Sequence, residues 1–225
     1  MGILVPVLKV LPPQQRHVFD RLGPTPRDFV LYGGTALALR LGHRQSVDFD
    51  FFSCRPFRPV ELLREIPYLK DQTVIQEAES TLSCEVGAAT SIVKLSFFGG
   101  LSLHQVAAPD LVESNGIAVA SLRDLFGTKC ATVPQRNEVK DYLDIHALLT
   151  QGGIELSVGI ACATAIYGRQ YNAVLTLQAL SYFDDLPESL PQGVKADLLA
   201  AVKSVSLQAL PSITTSHEIG VDSGK

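Results

Sequence analysis

The sequence predicts an α+β protein: a mixed sheet with its helices, followed by a helical C-terminal domain. Three observations predict this. Up to about residue 120, short apolar runs of strand length alternate with glycine turns and a few helical stretches. From Ser121 onward, apolar residues recur at helical spacing in segments of helical length. No apolar run reaches the roughly 18 residues that a bilayer span requires, so no membrane is expected. The predicted division is residues 1–120 for the α+β domain, 121–210 for the helical domain and 211–225 for a flexible tail.

In chain order, residues 14–22 read as a short helix stopped by Gly23-Pro24. Residues 28–32 are an apolar run closed by Gly33-Gly34, hence a strand and a turn. Thr35–Leu41 is rich in Ala and Leu and predicts a helix ending near Gly42. Val47–Phe52 alternates Asp with Phe, the period of a half-buried strand. Pro59 suits the first turn of a helix running through Glu65. Residues 73–78, 82–86 and 91–98 predict three further strands, and 116–120 a last one. Helices follow at about 121–133, 138–150, 154–167, 171–183 and 192–208.

Composition narrows the class. With 46% hydrophobic and 19% charged residues, the 225-residue chain can bury a sizeable core. A net charge of -4 gives no global attraction to nucleic acid. Cys54, Cys84, Cys130 and Cys162 lack C-x-x-C spacing, which predicts reduced thiols rather than a zinc site or a disulfide framework. The N-terminus is briefly apolar, but no basic region precedes it and Pro6 interrupts it, so a signal peptide is not expected. A cytoplasmic location is the default.

The chemistry concentrates between Val30 and Phe52. A strand, the Gly33-Gly34 turn, a helix opening at Thr35 and a second strand carrying Asp48 and Asp50 follow one another. Two glycines let backbone approach a phosphate closely, and the helix start offers free N–H groups. Residues two apart on a strand face one way, so Asp48 and Asp50 are predicted to point together. Paired carboxylates beside a phosphate cradle suit Mg²⁺, which takes hard oxygen ligands and leaves positions for phosphate and water. Arg40 and Arg44 flank the cradle as candidate phosphate clamps. Ser46 is a candidate phosphate donor. Farther on, Asp141, twelve residues beyond Lys129, and Asp144 lie three apart on one helical face. That group reads either as a triphosphate-binding cation with its carboxylates or as an ion-pair network tying two helices.

The run GGTALALRLGHRQSVDFDFF at residues 33–52 resembles the signature of the AbiEii/AbiGii toxin family, within the DNA polymerase β-like nucleotidyltransferase superfamily. Lys129, followed by Lys140-Asp141-Tyr142-Leu143-Asp144, resembles that family's later motif. The resemblance implies a polymerase β-like domain that moves an NMP from an NTP to an acceptor hydroxyl with Mg²⁺ or Mn²⁺. It implies Asp48, Asp50, Lys129 and Asp141 as catalytic residues, Asp48 and Asp50 as metal ligands, and Gly33, Gly34, Thr35, Arg40, Arg44 and Ser46 at the nucleotide. It also implies the toxin half of a toxin–antitoxin or phage-defence pair, a cognate antitoxin, and an RNA or protein acceptor. One position departs from the pattern. Such enzymes carry a third carboxylate on a later strand, and the predicted 91–98 strand offers Ser96 there, unless Glu85 or Asp110 takes its place. Asp141 could alternatively serve as base. Two other functions follow from the same residues: a catalytically silent nucleotide- or partner-binding protein, and an antibiotic-modifying nucleotidyltransferase.

Overall fold

A computed structural model describes residues 2–88, 91–187, 189–215 and 217–219. The chain forms two compact units. The first takes the chain up to Leu103, then Ala108–Ser121 and the stretch from His217. The second takes His104–Ala107 and Leu122–Ser216.

The first unit is built on a mixed sheet of β1 (Ile3–Leu4), β2 (Val30–Tyr32), β3 (Phe49–Phe52), β4 (Thr73–Ala78), β5 (Thr81–Ala88) and β6 (Ser91–Phe98). Two short strands complete it, β8 (Asp110–Val112) and β9 (Ala118–Val119), with β7 (His104–Gln105) between β6 and β8 in the chain. The spatial order is β1-β8-β9-β2-β3-β6-β5-β4. β3 sits centrally, antiparallel to β2 and parallel to β6. Central placement explains its composition. Phe49 and Phe51 are fully buried on one face beside Leu95 and Phe97, and Phe51 stacks on Phe97 at 5.2 Å. The other face carries Asp50 and Phe52, and Phe52 stacks on Tyr32 at 5.1 Å.

Helices α1 (Pro13–Asp20), α2 (Gly33–Leu41) and α3 (Pro59–Glu65) accompany the sheet. Phe19 of α1 lies fully buried, its ring stacked on Phe49. α2 is apolar nearly all round, with Thr35 to Leu39 buried, as a helix pressed into a core must be. It ends at Gly42, which takes the left-handed φ of 68° and returns its N–H to the Ala38 carbonyl.

The second unit is helical: α4 (Leu122–Thr132), α5 (Val139–Thr150), α6 (Leu156–Tyr167), α7 (Ala173–Ala179) and α8 (Gln192–Ser204). α4 and α6 approach closely at two glycines. A Cβ on Gly159 would fall 2.6 Å from the Phe126 ring, and one on Gly127 3.0 Å from the backbone of Cys162 and Ala163. The β7 segment belongs here because the amides of Val106 and Ala107 donate to the Asp124 carboxylate at 2.8 and 3.2 Å.

Several expectations need correction. β3 begins at Phe49, so Asp48 precedes the strand rather than lying in it. α7 stops at Ala179, short of residue 183. α8 stops at Ser204, whose hydroxyl turns back to the Ala201 carbonyl at 2.7 Å. Part of the expected tail is anchored. Ile219 is fully buried, donating to the Leu103 carbonyl and accepting from the Cys54 amide. Residues 216 and 220–225 of that tail lie outside the described residues. The four cysteines are free thiols. Among the described residues, no helix is long and apolar enough to cross a membrane.

Candidate active site

Most of the predicted cradle comes together at one end of the sheet in the first unit. Chain direction explains the convergence. β2 finishes at Tyr32, β3 starts at Phe49, and antiparallel pairing sets Tyr32 opposite Asp50. The turn leaving β2 therefore lies beside the start of β3. Gly33 takes φ 72°, a conformation that side chains strain to adopt, and a Cβ there would sit 3.1 Å from Asp50 Oδ2. A Cβ at Gly34 would sit 2.5 Å from the Arg44 guanidinium and 3.2 Å from Ser46 Oγ. Glycine at both positions keeps the Asp50 carboxylate, the Arg44 guanidinium and the Ser46 hydroxyl packed against bare backbone at the start of α2.

Thr35 holds this arrangement. Fully buried, its hydroxyl donates to the Asp48 carbonyl and shares a 2.8 Å hydrogen bond with Ser46 Oγ. The first turn of α2 is thus pinned to the segment that carries Ser46 and Asp48. Asp48 is exposed and Asp50 half-buried. Arg44 donates to the Gln45 carbonyl at 2.9 Å. Among the described residues, no cluster of three or more His, Cys, Asp or Glu has metal-binding geometry. The donor set that remains, two carboxylates two residues apart beside backbone amides, fits a cation whose other ligands are phosphate oxygens and water.

Arg40 is a correction. Its guanidinium is held away from the cradle by the Asp110 carboxylate at 2.9 Å and by the carbonyls of Ala120 and Val119 at 2.7 and 3.0 Å. It anchors the last turn of α2 to the Asp110 carboxylate of β8 and the backbone at the end of β9. Asp110 also accepts the Gly2 amide at 2.9 Å and lies three strands from β3, so it does not replace the third carboxylate. Ser96 stands directly beside Asp50 in the parallel register of β3 and β6. It is fully buried and bonded to Ser83 at 3.2 Å. Glu85 is paired across β5 and β6 with Lys94, not with Ser96.

Lys129 and Asp141 meet inside the helical unit. Lys129 Nζ lies 2.7 Å from Asp141 Oδ1 and 2.6 Å from Asp144 Oδ2, with all three side chains buried. Arg136 closes on the same Asp141 carboxylate through Nε at 2.8 Å and Nη2 at 3.2 Å. Burial alone would raise the Asp141 pKa; the Arg136 hydrogen bonds and the Lys129 charge outweigh it and hold the carboxyl below its usual range. A carboxylate so engaged is a poor proton acceptor, which argues against Asp141 as general base.

A glycine turn leading into a helix, with an Asp-x-Asp that straddles the start of the adjoining strand of a mixed sheet, is the arrangement expected of a nucleotidyltransferase. The family model described as "Nucleotidyl transferase AbiEii toxin, Type IV TA system" matches residues 20–209, and the chain belongs to that family. An uncharacterised protein of Aquifex aeolicus (strain VF5) is 28% identical over 192 residues, covering 84% of this chain and 90% of that one. A crystal structure from H. pylori assigned as a nucleotidyltransferase matches with a TM-score of 0.54 and 20% identity, over 84% of this chain and 90% of that one. MenT4, a nucleotidyltransferase toxin from Mycobacterium tuberculosis H37Rv, matches with a TM-score of 0.56 and 14% identity, over 88% and 87%.

Proposed function

We propose that this protein transfers an NMP from an NTP to an acceptor hydroxyl, and that it is the toxin of a toxin–antitoxin pair. The observation that carries the first part is the approach of the Asp50 carboxylate to the Gly33 turn, 3.1 Å from where a Cβ would stand. A carboxylate pressed against a phosphate-binding turn repels phosphate unless a cation lies between them. Asp48 and Asp50 would hold Mg²⁺, or Mn²⁺ in its place. When bound, the metal neutralises the phosphate oxygens.

The backbone of Gly33 and Gly34, the Ser46 hydroxyl and the Arg44 guanidinium bind and orient the triphosphate. Thr35 keeps Ser46 and Asp48 in register with the turn. The acceptor oxygen attacks the α-phosphorus in line, the bond to the bridging oxygen of the β-phosphate breaks, and pyrophosphate leaves. With Ser96 beside Asp50, no carboxylate is positioned there to take the acceptor proton, which passes to solvent. Slow turnover on an activated acceptor is the expected consequence.

The test is label transfer. The protein is incubated with each NTP labelled at the α-phosphate, with Mg²⁺ and cell extract, alongside Asp50→Ala. The reading predicts label on an acceptor, pyrophosphate release, and loss of both in the variant. Absence of transfer with every NTP would leave the silent, nucleotide-binding alternative that Ser96 favours. Lys129→Met in the same assay reads whether the buried Lys129–Asp141 pair takes part. Growth arrest on expression, relieved by co-expression of a neighbouring gene, tests the toxin assignment. Antibiotic resistance instead of arrest would point to a drug-modifying transferase.

A further inference from the structure

A groove of about 360 Å³ opens beside the cradle, within the first unit. That volume lies in the range of small-molecule sites, about 300–1,000 Å³. Its walls are Pro12 and Pro13 at the start of α1, Val47 immediately before Asp48, and Ile92 at the start of β6, and among the described residues none that lines it is charged. Val47 and Ile92 are more than half exposed, although both are β-branched aliphatics. Gln14, Gln15 and Val93 complete the lining.

Gln15 is 1% exposed, and its Oε1 has no hydrogen-bond partner among the described residues. Its Nε2 reaches Thr35 Oγ1 at 3.5 Å. The orientation of the amide follows from chemistry. The single Thr35 proton goes to the Asp48 carbonyl, which can only accept. Thr35 can therefore only accept from Gln15, so the amide nitrogen must face Thr35 and the oxygen is left over. A buried acceptor without a donor is unfavourable, and native structures rarely keep one without a reason.

We propose that this groove is a nucleobase subsite, an inference that rests on the nucleotidyltransferase reading above. A base is flat and uncharged, with faces that suit proline rings and aliphatic branches and an edge that carries an N–H. That edge supplies the donor Gln15 Oε1 lacks, once a small shift of the buried side chain brings the oxygen to the groove wall. Through Thr35, the same glutamine is tied to Ser46 and Asp48, so base binding and phosphate cradle share one rigid frame. The base can come from the NTP itself or from the terminal nucleotide of an acceptor, and the same experiment separates these sources.

Binding to the full chain is measured calorimetrically with Mg²⁺ for the four NTPs, for ribose 5′-triphosphate lacking a base, and for the four free nucleosides. Wild type is compared with Gln15→Leu and with Ile92→Asp, the latter at an exposed position that leaves the core intact. If the NTP supplies the base, at least one NTP binds about 10-fold more tightly than ribose triphosphate, and both variants remove that advantage. If the acceptor supplies it, NTPs and ribose triphosphate bind alike, and a nucleoside binds wild type but neither variant. In both cases ribose triphosphate is the reference for each protein: Gln15→Leu, which also loses the bond to Thr35, is judged by the ratio of NTP or nucleoside affinity to ribose triphosphate affinity, and Ile92→Asp by the same ratio. Base-independent binding with no nucleoside affinity overturns the subsite, as does base preference that survives both substitutions. Failure of wild type to bind ribose triphosphate or any NTP removes the nucleotidyltransferase reading itself, a distinct result.

Discussion

Arg40 and Arg44 stand four residues apart, and their surroundings give them different work. Arg40 is nearly buried, with an ion pair to Asp110 and bonds to two carbonyls. Arg40→Ala should cost about 2 kcal/mol of stability, the scale of lost charged hydrogen bonds, and leave NTP affinity unchanged. Arg44→Ala should do the reverse, weakening NTP binding about tenfold with little change in unfolding. Urea denaturation and nucleotide titration of both variants check the pair. Asp141 makes a prediction about pH. Its folded pKa lies below its unfolded value, so its stabilisation is present above about pH 4 and is lost as pH falls through the folded value. Asp141→Asn leaves Lys129 with one carboxylate fewer and should lose about 3 kcal/mol at neutral pH. Urea midpoints measured from neutrality into acid should fall for wild type and change less for the variant. The sequence made the Lys129–Asp141–Asp144 group legible because two members share a helical face. It could not show the fate of Arg40, whose partner Asp110 is 70 residues away, nor the orphan oxygen of Gln15, which leaves no mark in any spacing.

The elements that could be read were those long enough to show a period. β5, β6 and the helices α4, α5 and α6 each carry a repeating apolar pattern, and each stands close to its expected place. The two-residue strand at Ile3–Leu4 and the three-residue strand at Asp110–Val112 exist because they pair with each other, in parallel. Strands that short have no period to read. Asp48 lies outside β3 because the Thr35 hydroxyl takes its carbonyl, competing with sheet bonding at that residue. Helix packing in the second unit is set by glycines whose importance the sequence does not announce. Gly127→Ala and Gly159→Ala should each destabilise by about 1–3 kcal/mol, as overpacking does, because the new methyl meets backbone or a buried ring. Gly193→Ala in α8 meets nothing within 4 Å and should stabilise by about 0.5 kcal/mol. Thermal melts of the three variants, compared with wild type, test whether close approach or helix propensity decides the sign.

At the scale of the whole molecule, the chain joins a sheet-based unit, where the cradle forms, to a helical unit that buries Lys129 between two aspartates. The cradle was legible in sequence because its parts are nearly contiguous, from Gly33 to Asp50. Ser96 was identified because strand alternation places it correctly, and the register sets it opposite Asp50. What alternation could not convey is its burial against Ser83, which makes it part of the sheet's packing rather than a spare ligand. In the proposed reaction, Asp48 and Asp50 bring a divalent cation to a triphosphate held on the Gly33-Gly34 turn. The most direct measurement is calorimetric titration of an NTP with and without Mg²⁺ into wild type, Asp48→Asn and Asp50→Asn. Tight binding by wild type only with Mg²⁺, and loss of the Mg²⁺ dependence in both variants, is the expected result. Equal binding with and without Mg²⁺ in wild type, or an unchanged Mg²⁺ dependence in either variant, would contradict it.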